Sequence, residues 1–267
     1  MLSPLKEYPF DKQPMICAHR GDTTHGAHEN SLDSIREALT SGAEMIETDV
    51  QMTSDGILLC HHDEKLPNGK RIWEVTYDEI RRDYDANEIP TFESLLDVTA
   101  GEIYLNIEMK EYSARDPKTF IEPLIALVRK YGMHEYSLYS SFRIDYIRAL
   151  PWDAISTIIH PTSEYLAFFN SRSAAPITTL KPVEDMLPSE LLAFSNAITY
   201  ACMLEELDEV KIADIKTRNI HLSVYTITTT DGYDKARAVG AKAVVTDVPH
   251  LLREYRDKDF LAKTQSL

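Results

Sequence analysis

Cysteine is scarce in this 267-residue chain, which has only Cys17, Cys60 and Cys202. The count is odd and the spacing wide, so a disulfide framework is excluded, and two of the three lie in apolar, strand-like runs. We expect reduced core thiols and a cytoplasmic protein. Basic residues are also short, with 28 Lys and Arg against 43 Asp and Glu and a formal net charge of −15. That charge repels a nucleic-acid backbone and argues against a DNA or RNA partner. It also repels small anions, so handling a phosphate group would need local positive charge, which a bound divalent cation could supply. Solubility explains most of the acidic residues. No apolar run approaches the roughly 20 residues that span a bilayer. The first 14 residues lack the apolar h-region of a secretory signal, and we expect neither a cleaved leader nor stable membrane insertion. There is no low-complexity segment, long linker or internal repeat.

Short β-rich runs alternate with helical patterns instead, the signature of parallel β/α units. Strands are predicted at 14–18, 44–50, 57–61, 102–108, 136–140, 155–159, 195–199, 221–227 and 242–246. Helices are predicted at 31–41, 118–131, 143–149, 205–218, 232–239 and 249–257. The first helix shows the reasoning: Asn30 or Ser31 caps it, Leu32, Ile35 and Leu39 recur at helical spacing, and Gly42 ends it. The length and a hydrophobic content of 43% suit one (β/α)8 barrel. Nine strands are one too many for eight. Asp55-Gly56 is a hairpin signal, so 57–61 should fold back antiparallel on 44–50 and distort the barrel. Residues 63–101 carry weak strand signal and are expected to form a small excursion. Residues 160–195 carry no clear pattern.

Charged and polar side chains close several of the strand-like runs. His19-Arg20-Gly21 follows the first. Glu47 and Asp49 lie two apart in the second and so share a face, opposite Ile46, Thr48 and Val50. Asn106, Glu108 and Lys110 share a face opposite Leu105, Ile107 and Met109. His62 shares its face with Leu58 and Cys60, whereas His61 points away. Burying several carboxylates together costs several kcal/mol each, by rough estimate, unless a cation neutralises them. Three oxygen ligands, Glu47, Asp49 and Glu108, suit one hard divalent ion, Mg²⁺ or Ca²⁺. No Cys/His spacing typical of zinc occurs. Histidine titrates near neutral pH, so His19 and His62 suit an acid–base pair for breaking a P–O bond. Arg20 offers a planar donor fork to phosphoryl oxygens and Lys110 a point charge. Each element alone is weak: a lone His at a strand end is more often structural, and a lone E-x-D is usually a solvated strand face. We therefore leave His25, His28, His61, His134, His160, His221 and His250 as structural or surface residues. The ordered set in strand-compatible phase is much harder to reach by chance.

These residues resemble the pattern of the glycerophosphodiester phosphodiesterase family. The matching pieces are His19-Arg20-Gly21, Glu29-Asn30-Ser31, Glu47-Thr48-Asp49, Asp55-Gly56, His62-Asp63, Ile89-Pro90-Thr91, Asn106-Ile107-Glu108-Met109-Lys110, Ser141-Phe142 and Thr246-Asp247. The likeness runs over about residues 14–250. It implies an α/β fold, a single TIM (β/α)8 barrel of the phospholipase-C-like phosphodiesterase type over residues 1–267, with its site at the C-terminal strand ends. It implies His19 and His62 as the acid–base pair, Glu47, Asp49 and Glu108 as metal ligands, and Arg20 and Lys110 as phosphate ligands. The implied reaction is metal-dependent hydrolysis of a small glycerophosphodiester to glycerol phosphate and an alcohol. The chain lacks the family's usual Arg shortly after Leu66, and it has His28 and Thr228 where Pro and Asn are common. These differences lie around the substrate and bear on the alcohol rather than on the reaction. Arg71 is the nearest basic residue that could compensate, but "LPNGKRIW" reads as a turn with a solvated Arg71. Two rival readings are a lipid phosphodiesterase of lysophospholipase D or phospholipase C type, and a non-catalytic phosphodiester-binding barrel. A surface-exposed aromatic loop would favour the former; two proton carriers argue against the latter.

Overall fold

In the computed structural model, which describes residues 2–8, 13–110, 112–113, 115–171 and 176–264, the alternating runs become nine strands. They are β1 (Met15–Ala18), β2 (Met45–Met52), β3 (Leu58–Cys60), β4 (Tyr104–Met109), β5 (Ser137–Ser141), β6 (Ile155–Ile159), β7 (Thr199–Met203), β8 (Leu222–Tyr225) and β9 (Ala243–Thr246). All but β3 are parallel, and β1 pairs with both β2 and β9, so eight strands close into a TIM barrel. The ninth strand needs no place in the ring. β2 outruns its pairing with β1, and β3 lies antiparallel on that overhang, with Val50 opposite Cys60 and Met52 opposite Leu58. Gly56 makes the turn between them at φ 86°, a conformation a Cβ would strain.

The helices are α1 (Leu32–Thr40), α2 (Tyr77–Asp83), α3 (Phe92–Thr99), α4 (Pro117–Lys130), α5 (Ile144–Ala149), α6 (Ser163–Asn170), α7 (Pro188–Ser195), α8 (Glu209–Arg218), α9 (Thr230–Val239) and α10 (Pro249–Thr264). Ser31, not Asn30, caps α1, its hydroxyl accepting from the Ser34 N–H at 3.1 Å. The expected strand at 195–199 lies four residues too early. Pro188 starts a helix, Asn196 ends it in the left-handed region at φ 61°, and the strand begins only at Thr199. The expected 205–218 helix starts late, at Glu209, because Asp208 caps it by accepting from the Lys211 N–H at 2.7 Å. Four short helices, α2, α3, α6 and α7, carried no clear periodic signal. One of them was readable from its cap: Thr76 and Glu79 form a capping box at α2. Within 63–101, Leu66, Ile72, Val75, Ile80 and Ile89 pack with Leu59 in their own cluster. Phe92, Leu95 and Leu96 of α3 join the main core instead.

Strand phase sorts the barrel into two apolar regions. Outward-facing Ile16, Ile46, Val50, Leu105, Ile107, Tyr139, Ile158, Tyr200, Val224 and Val244 meet the helices. Inward-facing Met15, Cys17, Met45, Tyr104, Ala243 and Val245 fill the lower barrel, and Leu5 packs with them. The interior above this layer is mixed, with charged and polar side chains beside Leu138, Phe142, Ile159, Ala201 and Met203. All three cysteines are free and buried. No helix among the described residues is long and apolar enough to cross a membrane.

Two glycines in the left-handed region separate backbone strain from crowding. A Cβ on Gly21 would stand 2.6 Å from the Ser34 carbonyl carbon, whereas one on Gly56 would meet nothing within 4 Å. Gly56→Ala should cost about 1–2 kcal/mol, the left-handed penalty alone, and Gly21→Ala about 3 kcal/mol or more because overpacking adds to it. Urea unfolding midpoints at unchanged slope measure both. Equal losses would show that the packing of Ser34 against the Gly21 turn contributes nothing.

Candidate active site

The C-terminal ends of the barrel strands surround a cavity of about 520 Å³, lined on one side by His19, Arg20, Glu47, His62, Glu108 and Lys110. Six of the seven predicted site residues therefore line one space. The seventh, Asp49, lies beneath it, 1% exposed. Glu47, Asp49 and Glu108 converge, each offering a carboxylate oxygen within 4.8 Å of the others. β2 and β4 pair in register, Glu47 beside Asn106 and Asp49 beside Glu108, and this pairing brings the three together.

Two backbone features hold this floor. Arg20 has φ 55° and Asn30 φ 58°, uncommon for residues with side chains. The Arg20 turn aims its N–H at Glu47 Oε2 (2.9 Å), and its carbonyl accepts from the Asn30 N–H (2.9 Å). Asn30 lies buried under β2. Its Nδ2 donates to Asp49 Oδ2 at 2.9 Å, and its Oδ1 accepts from the Thr48 hydroxyl and the Asp49 N–H at 2.9 and 3.1 Å. The Arg20 guanidinium bonds Glu29 at 2.8 Å and lies 3.2 Å from Asp49. Lys110 Nζ lies 2.8 Å from Glu108 and 3.9 Å from Asp49, with the Phe142 ring 5.4 Å away.

Despite these cations, one oxygen of each acid, Glu47 Oε1, Asp49 Oδ1 and Glu108 Oε1, is buried without a hydrogen bond. Lys110 is close to Glu108 Oε1 but does not meet it in hydrogen-bond geometry. Three orphaned anionic oxygens around one point have the donor chemistry that a hard divalent cation takes. Burial, then Asp49 and Glu108, push the Glu47 carboxyl well above the usual range, and Arg20 offsets only part of this. Burial acts on Asp49 in the same direction, but Lys110, Arg20, His62 and the Asn30 amide overcome it and hold Asp49 low. Burial disfavours charge on Lys110 as well; Glu108 and Asp49 reverse that and raise its pKa.

Each histidine has a carboxylate behind it. Asp247, just past β9, places Oδ1 2.7 Å from His19 Nδ1, and Asp63 places Oδ1 2.8 Å from His62 Nδ1. Both carboxyls are held low, first by these hydrogen bonds. An ionised carboxylate can only accept, so Nδ1 carries the hydrogen and Nε2 is left to exchange a proton. Neither aspartate had a role in the sequence reading, although both stand in the matched H-D and T-D pieces. Gln51 was missed altogether. Buried on β2, its Nε2 donates to the carbonyls of His61 (2.7 Å), His62 (3.2 Å) and Asp63 (2.7 Å), and so fixes the turn carrying His62. A buried Gln beside a strand end was its only signal. His61 does not line the cavity; its Nε2 lies 3.2 Å from the Lys65 carbonyl. Arg71 is half-buried, bonds Glu64 at 2.7 Å and does not reach the cavity either.

The fold and site describe a TIM barrel with paired histidines above an acidic floor. The model of the glycerophosphoryl diester phosphodiesterase family matches residues 19–251, and the chain belongs to that family. It is 31% identical over 142 residues to a glycerophosphodiester phosphodiesterase of Caldanaerobacter subterraneus, covering 48% of this chain and 58% of that protein. It is 35% identical over 117 residues to one of Bacillus altitudinis, covering 38% and 47%. The chain thus spans about half the length of these curated relatives. In structure it resembles an Oleispira antarctica phosphodiesterase solved with the product sn-glycerol-3-phosphate, with a TM-score of 0.74, 20% identity and coverage of 92% and 97%. At that identity the likeness speaks for the fold.

The crowded acids predict a pH-dependent stability. A carboxyl raised in the folded state costs nothing below the ordinary glutamate value of 4.5. The cost opens as pH rises through that value and stops growing above the raised one. In chelator, Glu47→Gln should therefore stabilise the protein at neutral pH by about 1 kcal/mol or more, and the gain should vanish near pH 4. Thermal melts across pH measure this. A neutral-pH Tm lowered by the substitution would contradict it.

Proposed function

We propose that the chain hydrolyses glycerophosphodiesters to glycerol phosphate and an alcohol, with Glu47, Asp49 and Glu108 holding one divalent cation, Mg²⁺ or Ca²⁺. The observation that carries this reading is the meeting of two carboxylate-backed histidines and three carboxylates with orphaned oxygens in one cavity. The cation, when bound, would supply positive charge to a phosphoryl oxygen and acidify a coordinated hydroxyl. Arg20 and Lys110 orient the phosphodiester through its remaining oxygens, Arg20 with a fork of donors and Lys110 as a point charge. One histidine Nε2 accepts the proton of the attacking oxygen, either water directly or a glycerol hydroxyl whose cyclic phosphate water then opens, and the other protonates the departing alcohol oxygen. Asp247 and Asp63 hold each ring in the required tautomer and stabilise its protonated form. The Oleispira antarctica phosphodiesterase, with its bound sn-glycerol-3-phosphate, supports the substrate class by similarity of fold.

Turnover of glycerophosphocholine and glycerophosphoethanolamine tests this reading. His19→Ala and His62→Ala should each lower kcat by about 10²–10⁴-fold. His61→Ala should do far less, since its ring is outside the cavity. Exhaustive chelation should abolish turnover, and Mg²⁺ or Ca²⁺ should restore it and raise the Tm of the wild type but not of Glu47→Gln. Undiminished activity after chelation, or equal losses at His61 and His62, would refute the assignment.

A further inference from the structure

The cavity has two unlike walls, and only one is used by the chemistry above. The wall formed by β6, β7 and β8 presents Thr157, Ala201, Met203, Glu205, Ser223 and Tyr225. It contains no basic residue. Arg20 and Lys110, the only Lys or Arg lining the cavity among the described residues, are on the other side and engaged with acids. On the hydrolytic reading, a phosphodiester held by Arg20, Lys110 and the acidic floor would extend one of its two ester arms toward this wall of the same cavity.

Glu205 gives the wall its charge. It sits in the short 3₁₀ turn Leu204–Glu206 that follows β7, and its side chain is exposed toward the cavity rim. Its neighbour Glu206 folds back, accepting from the Met203 N–H at 3.0 Å. Glu205 makes no hydrogen bond and no ion pair among the described residues. The cations on adjoining elements have their contacts elsewhere: Lys211 Nζ donates to the Glu206 carbonyl at 3.2 Å, and Lys235 pairs with Asp231 at 2.8 Å and feels Glu205 only through space. Tyr225 shares the wall, and its hydroxyl likewise has no hydrogen-bond partner among the described residues. A free carboxylate at the rim of a phenol-bearing wall without cations is a receptor for an ammonium group, through direct attraction and cation–π contact. The same wall leaves an added anion unpaired beside a carboxylate.

We propose that Glu205 is a specificity-determining residue that, with the Tyr225 ring, favours head-group alcohols carrying an ammonium over neutral or anionic ones. The inference rests on the hydrolytic reading above.

The test compares kcat/KM of the full chain on the ethanolamine and choline diesters, on neutral glycerophosphoglycerol and on anionic glycerophosphoglycolate, whose alcohol carries a carboxylate and no amine. The wild type should prefer the cationic diesters over glycerophosphoglycerol by about threefold to tenfold, the scale of one exposed charge pair with an aromatic contribution. Glu205→Gln should remove that preference while leaving glycerophosphoglycerol turnover within about twofold, which also shows that the variant is folded. Glu205→Lys should disfavour the cationic diesters outright and raise the rate on the glycolate diester. A cationic-to-neutral ratio unchanged in both variants overturns the inference alone. Absence of turnover on every diester by the wild type overturns the hydrolytic reading and this inference with it.

Discussion

Three carboxylates pressed together inside a closed barrel are the constraint around which the upper half of this molecule is arranged. Their mutual repulsion and their burial both oppose ionisation, and the protein offsets this only in part. Lys110 and Arg20 bring positive charge to within 2.8–3.9 Å, and the Arg20 N–H and Asn30 amide each satisfy one carboxylate oxygen. What remains, one orphaned oxygen per acid, is a local destabilisation that a ligand can relieve. Sites of chemistry commonly hold such deficits, because a fully satisfied group has no valence left for a substrate or ion.

Several otherwise odd features follow from it. Arg20 and Asn30 adopt left-handed backbone because the first strand must turn sharply enough to aim an N–H at Glu47 and an amide at Asp49. Gly21 has no Cβ because α1 passes directly against that turn. The barrel interior is a continuous apolar layer in its lower part, where Met15, Cys17, Met45 and Tyr104 pack with Leu5. The acids on the same strand faces occupy the upper part. A single alternating phase along β2 thus places Met45 in the core and Glu47 and Asp49 in the site.

The second histidine depends on a different device. His62 lies beyond the end of β3, where no ladder hydrogen bond fixes the chain, and Gln51 takes over by bonding three successive carbonyls. β3 itself exists because β2 is longer than the ring requires, so its overhang can pair antiparallel. The extra strand is therefore the support of one of the two histidines proposed for acid–base work rather than a distortion of the barrel.

Much of this was legible in the chain. Period-two phase failed at His62, because Leu58 and Cys60 face the helices with Val50 and His62 reaches the cavity only where the chain turns after β3 ends. It placed Glu47 with Asp49 and Glu108 with Lys110, because side-chain direction inside a strand is a local property. Asp55-Gly56 announced the hairpin for the same reason. The short helices α6 and α7 and the true start of β7 escaped, since eight residues hold too little periodicity and Asn196 ends its helix only in the packed structure. The roles of Asp63, Asp247 and Gln51 escaped for another reason. Asp247 is 228 residues from His19, and nothing in a one-dimensional pattern states which strand end closes on which. The sequence by itself determined the element types, the faces of the strands and the kinds of chemical group. Ring closure, the β2–β4 register and the unlike charge of the two cavity walls were decided only in three dimensions. They depend on which distant strands become neighbours, and only such neighbours feel one another's charge.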